Sequence, residues 1–140
     1  MPQNTQNRLH RLIKGLPVLA GRTINPGDIV LRNDTSGYCS EGRITTGCTG
    51  IGWCANGSPV DNSAGADGDK TVDVWQGDMT CDNATAGTAV GATGLGGAVY
   101  ADGRQSVTVS SAGRSKAGIA IGLPAGNLGG VMLDIESKGA

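Results

Sequence analysis

Phenylalanine is absent from this chain of 140 residues, and tryptophan and tyrosine contribute only two residues each. Leu, Ile and Val together number 27, about 19% of the chain. That content lies close to the compositional limit for disorder, but disorder also calls for a large net charge, and the formal net charge here is only −1. The combination implies one small, loop-rich domain with a lean aliphatic core, of the kind that completes its burial against a partner subunit. No apolar run approaches the roughly 18 residues that a membrane-spanning helix needs, so no membrane partner is expected. The basic start, MPQNTQNRLHRLIKGLPVLAG, is interrupted by Lys14, Gly15 and Pro17, unlike a secretory signal. The 25 glycines follow no three-residue period, which excludes collagen. There is no basic surplus, which argues against a nucleic-acid partner.

Chemistry is equally sparse. The single histidine, His10, lies among Arg8, Arg11 and Lys14, which repel cations and disfavour a second positive charge on the imidazole. The cysteines, Cys39, Cys48, Cys54 and Cys81, form no C-x-x-C pair and have no histidine at zinc spacing. Without an export signal they are expected as free, buried thiols. The Asp61–Asp73 stretch lacks the ligand spacing and closing glutamate of an EF-hand, and the glycines at 91–97 match no dinucleotide or phosphate loop. The expectation is therefore no cofactor, no metal and no enzymatic activity.

What the chain does have is an uneven charge distribution and a strand-like texture. Residues 1–22 carry four cations and no acid, whereas residues 61–82 carry six aspartates against Lys70 alone. Leu9, Leu12, Ile13 and Leu16 recur at i, i+3, i+4 and i+7, which predicts a short amphipathic helix ended by Pro17. Asn25-Pro26-Gly27-Asp28 predicts a tight turn with a left-handed glycine. Beyond it, strands are expected near 28–32, 37–41, 50–55, 70–76, 97–101, 105–110, 117–123 and 130–135. The hairpin Ala101-Asp102-Gly103-Arg104 is expected to turn at Asp-Gly. Segments 56–70 and 83–97 read as long loops. The resulting fold class is all-β, a small β-barrel or β-sandwich: residues 1–22 form a basic N-terminal arm carrying the short helix, and residues 23–140 form the β-rich domain. Trp53 and Trp75 are candidates either for core anchors or for an interface.

The order of elements resembles the small head decoration, or cement, proteins of tailed bacteriophages. The resemblance is carried by the Pro-Gly-Asp turn into a strand, Gly52-Trp53-Cys54-Ala55, the Asp61–Asp69 loop, Val74-Trp75-Gln76-Gly77, Gly97-Ala98-Val99-Tyr100, Ser106-Val107-Thr108-Val109 and Ala117-Gly118-Ile119-Ala120-Ile121. It covers about residues 18–135. It implies a non-enzymatic protein made in the host bacterial cytoplasm and carried on the capsid exterior of the virion. There it would bind the major capsid protein at capsomer junctions, as a homotrimer or in some cases a dimer, and brace the expanded shell against DNA pressure. The basic segment then becomes the expected contact with the shell. Leu9, Leu12, Ile13 and Leu16 would form its apolar face, Arg8, Arg11 and Lys14 would meet shell acids, and Trp53 and Trp75 are further contact candidates. A different class also fits the composition: a secreted or virion-surface module that binds glycans or a host receptor, for which a tryptophan on a solvent-facing loop and real disulfides would speak.

Overall fold

A mixed β-sheet organises the chain. In the computed structural model the described residues are 11–84, 88–124 and 130–135. Among them there is no α-helix; one 3-10 turn stands at Ala92–Gly94. The strands are β1 (Arg11–Pro17), β2 (Arg22–Ile24), β3 (Ile29–Asn33), β4 (Cys39–Glu41), β5 (Cys48–Cys54), β6 (Val60–Asn62), β7 (Thr71–Asn83), β8 (Ala98–Gly103), β9 (Ser106–Thr108), β10 (Lys116–Gly122) and β11 (Gly130–Ile135). Nine belong to one sheet, whose main path runs β1-β7-β9-β8-β10-β5-β3-β4; β11 pairs with both β10 and β7, and β5 also pairs with β7. β2 and β6 form a separate two-stranded ribbon. Most pairings are antiparallel, with parallel contacts at β10–β5 and β7–β9.

The expected helix at the N-terminus is a strand. Arg11–Pro17 pairs antiparallel with β7, placing Leu12 opposite Trp75, Ile13 opposite Val74 and Leu16 opposite Val72. Between Ile13 and Leu16 the register shifts, so three steps on β1 match two on β7. Gly15 takes the extra step at φ +75°, a left-handed conformation that suits glycine. This bulge returns Ile13 and Leu16 to the same face despite their three-residue spacing, so a helix-like period is satisfied by a strand.

The Pro26-Gly27 turn forms as the sequence predicts: Gly27 has φ +82° and the Asp28 amide donates to the Asn25 carbonyl at 3.0 Å. It feeds β3, whose unbroken apolar run is buried on both faces. Ile29 and Leu31 enter a core built with Val99, Val107, Leu133 and Ile135, while Val30 enters a second core with Ile51, Val72 and Val74. The 100–108 hairpin is present, but its turn lies two residues later than expected. Gly103 pairs with Ser106, so Arg104 and Gln105 make the turn, and Gly103 keeps ordinary backbone geometry. The shift sends both turn side chains onto Asp28, where Arg104 Nη1 donates to Oδ2 at 2.6 Å and Gln105 Nε2 to Oδ1 at 3.3 Å.

All four cysteines are free thiols. Cys39 and Cys48 flank β3 on opposite sides, opposite Arg32 and Asn33. Two strand spacings separate them by about 9–10 Å, beyond the roughly 7 Å between α-carbons that a disulfide tolerates. Burial pushes the Cys39 and Cys81 thiols up to about 12. In native protein neither is expected to react with iodoacetamide near neutral pH, because the thiolate is the nucleophile, while half-buried Cys48 labels first. After denaturation without reductant, mass spectrometry should count four labels, matching the four free thiols; a smaller count would reveal disulfides.

Candidate functional site

β1 has one paired side, against β7, and the β1–β7–β5 region presents the most distinctive outward face. Directly opposed residues of an antiparallel ladder project from the same side of the sheet. Leu12 stands opposite Trp75, and Trp75 stands opposite Trp53, so three large apolar side chains form a row across three strands. Leu12 is 42% exposed, Trp75 36% exposed and Trp53 half-buried. Neither tryptophan is a fully buried anchor. Gly52, beside Trp53, keeps φ +148°, and a Cβ there would collide with the Trp75 carbonyl oxygen, so glycine lets β5 and β7 approach closely.

Cations edge this row. Lys14 follows Leu12 on the same face and Arg11 occupies the first position of β1; both are exposed and neither enters an ion pair among the described residues. Asp73, two residues before Trp75 in β7, is engaged locally through the Gly15 amide, which donates to its Oδ1 at 3.0 Å. The structure thus brings Arg11, Leu12, Lys14, Trp53 and Trp75 together. It separates Ile13 and Leu16 from them, because these face inward and Leu16 packs against the second core. Arg8 and Leu9, the other expected contact residues, lie outside the described residues, as does His10.

The free edge of β1 is guarded. A lysine, a glycine bulge and Pro17 interrupt it, and these are devices by which sheets discourage strand addition. Docking on the face is therefore better supported than docking on the edge.

At the other end of β1 lies the acidic loop at 61–69. Sequence reasoning found its charge but not its anchor, Asn62, which is fully buried. Asn62 Nδ2 donates to the carbonyls of Val18, Leu19 and Ala66. A Cβ at Gly65 would collide with Asn62 Oδ1, so glycine lets the loop close over it. The Ala20 amide donates to Asp67 Oδ1 at 2.8 Å, and the Ala66 amide donates to Asp69 Oδ2 at the same distance. Hydrogen bonds from Ser63 and Thr23 hold the Asp61 carboxyl below its ordinary range. A shallow groove of about 510 Å³, lined by residues including Ser58, Asp61, Asp69 and Lys70, runs beside the loop. Among the described residues, no three His, Cys, Asp or Glu side chains converge to hold a metal.

No family model, curated protein or solved structure matches this chain.

The remaining charged cluster serves the fold. Asp28 is 1% exposed and is met by Arg104, Gln105 and the Asn25 amide. Glu41, also buried, is met by Arg22 on two oxygens and more distantly by Arg104 at 3.9 Å. Burial pulls the Glu41 carboxyl upward, but the Arg22 hydrogen bonds and the two nearby guanidinium charges outweigh it and hold it below its ordinary value. These pairs tie the 25–28 turn, β2, β4 and the 103–106 hairpin into one unit.

Proposed function

We propose that this chain is a non-enzymatic capsid decoration protein, which binds the outer surface of a tailed-phage head at capsomer junctions and braces the expanded shell. In this reading it is made in the host cytoplasm, carried on the virion exterior, and works with copies of itself as a trimer. The link to phage heads comes from the sequence motifs. The structural observation that supports a binding role is the Leu12–Trp75–Trp53 row with Arg11 and Lys14 beside it. A lean-cored chain that leaves large apolar side chains in the open, next to unpaired cations, has the makings of a protein-contact surface. Each contact can be weak, because several held on one shell add through effective concentration. We read the sheet as a small barrel, because its pairings lead from β7 through β9, β8, β10 and β5 back to β7. The adhesion alternative draws no support from the tryptophans, which stand on strands, or from the cysteines, which are free thiols.

The test is co-sedimentation of the purified chain with isolated phage heads. Saturable binding to expanded heads and none to unexpanded ones is the expected outcome. Binding to neither form, under conditions where the protein is folded, would refute the proposal.

A further inference from the structure

We propose that the Leu12–Trp75–Trp53 face, with its Arg11 and Lys14 rim, is covered by the acidic loop 61–69 of a second copy of this chain. This deepens the reading above by naming the partner of the same surface, and it rests on that reading only for its place on a shell.

Charge complementarity selects the occupant. Asp61, Asp67 and Asp69 are exposed on the loop and form no ion pair among the described residues. Arg11 and Lys14 are in the same condition on β1. The two sets cannot meet within one copy along the strand. The loop packs where β1 ends, since the Gly68 amide donates to the Val18 carbonyl and the Val18 amide to the Lys70 carbonyl, whereas Arg11 is at the start of the strand. Six strand steps separate these ends by about 20 Å. A neighbouring copy can satisfy both.

Shape and rigidity agree with charge. The tip of the loop, Ser63-Ala64-Gly65-Ala66, carries only small side chains, so it can lie close against the indole of Trp75. Asn62 and the two aspartate–amide hydrogen bonds fix the loop before it docks, which reduces the ordering cost of association. Pairing of two β1 edges is disfavoured instead, since an antiparallel match centred on this seven-residue strand sets Lys14 against Lys14. The proposed contact joins two different surfaces, so repetition of it can close a ring.

Sedimentation velocity on the full chain, with no capsid present, tests the contact separately from shell binding. Wild type is expected to associate at about 0.1 M salt and to weaken at about 1 M, where the screening length shrinks from about 10 Å to about 3 Å. Arg11→Glu with Lys14→Glu should weaken association by about 10- to 100-fold while the melting temperature stays put. Ala64→Lys, which adds a cation at the loop tip without touching Asn62, should weaken it as well. In a mixture of Lys14→Cys and Ala64→Cys copies, a bismaleimide should join position 14 of one copy to position 64 of another. A monomeric wild type at high concentration would overturn the proposal, as would unchanged association in both charge variants or cross-links confined to 14–14 or 64–64. Heads that bind a wild-type chain shown to be monomeric would leave the decoration reading standing and remove only this contact. A chain that associates as described but binds no heads would do the reverse.

Discussion

Replacing Arg104 with alanine is expected to lower stability by about 2–3 kcal/mol, just below the range for breaking a buried ion pair, because Arg104 itself is 42% exposed and Asp28 keeps two other donors. For a chain of this length that corresponds to a fall of about 10 °C in melting temperature. The cause is the carboxylate left behind: Asp28 is 1% exposed and cannot turn to water when its guanidinium is gone. Lysine at position 104 should restore only part of the loss, since one ammonium replaces a fork that donates both to Asp28 and to the Thr23 carbonyl. The same cluster sets the acid limit. Glu41 is held below its ordinary carboxyl value of 4.5, so its contribution is fully present above that pH and is lost as the pH falls through its folded value. Thermal melts from pH 7 downward should show stability falling below about pH 4.5, with a smaller fall in Arg22→Ala, which has already lost the partner that depresses Glu41. An Arg104→Ala protein that melts with wild type would show that the clasp does not hold the turns together.

Serine at Leu12 and serine at Leu16 are expected to have opposite consequences. Leu12 is 42% exposed beside Trp75, so Leu12→Ser should leave the melting temperature nearly unchanged and weaken association, and with it binding to heads. Covering an aliphatic side chain is worth about 1.5–3 kcal/mol, or roughly 10- to 100-fold in affinity. Trp75→Ala should cost at least as much, about 2 kcal/mol or more for an interface tryptophan. Leu16 packs against the second core, so Leu16→Ser should lower the melting temperature while the folded fraction still associates. The check is a melt and a binding isotherm on each variant. If Leu12→Ser melts as low as Leu16→Ser and its folded fraction binds normally, the Leu12 face serves the protein's own fold and not a partner.

Much of the β-architecture was legible because it rests on local rules. Pro26 and Gly27 specify their turn through fixed and left-handed φ angles, and the turn forms. The apolar run at Ile29–Leu31 marks a strand buried on both faces, and it divides its side chains between two cores. The alternation at Thr71–Trp75 marks the first half of β7. Its second half, which escaped notice, runs through Gly77-Asp78-Met79-Thr80, where alternation fails and pairing with β11 keeps the chain extended. The ribbon of β2 and β6 escaped for a related reason: strands of three residues are too short for a period to show.

Of the candidate surface, the sequence by itself determined the ingredients: two tryptophans, a basic start, an acidic loop, few other large side chains. Tertiary structure decided which of them meet. The spacing of Leu9, Leu12, Ile13 and Leu16 fits a helix, and nothing in the sequence forbids one. Register against β7 settles the described part of that segment as a strand, because one residue is added at Gly15 and resets the face that follows. That bulge splits the apolar set, turning Ile13 and Leu16 inward and leaving Leu12 outside with Trp75. The clasp on Asp28 was equally hidden, since its arginine lies 76 residues away in the chain. Turn and strand preferences act between neighbours and can be read in order along the sequence. Register and ion pairing act between residues far apart, and only the folded sheet brings them within reach.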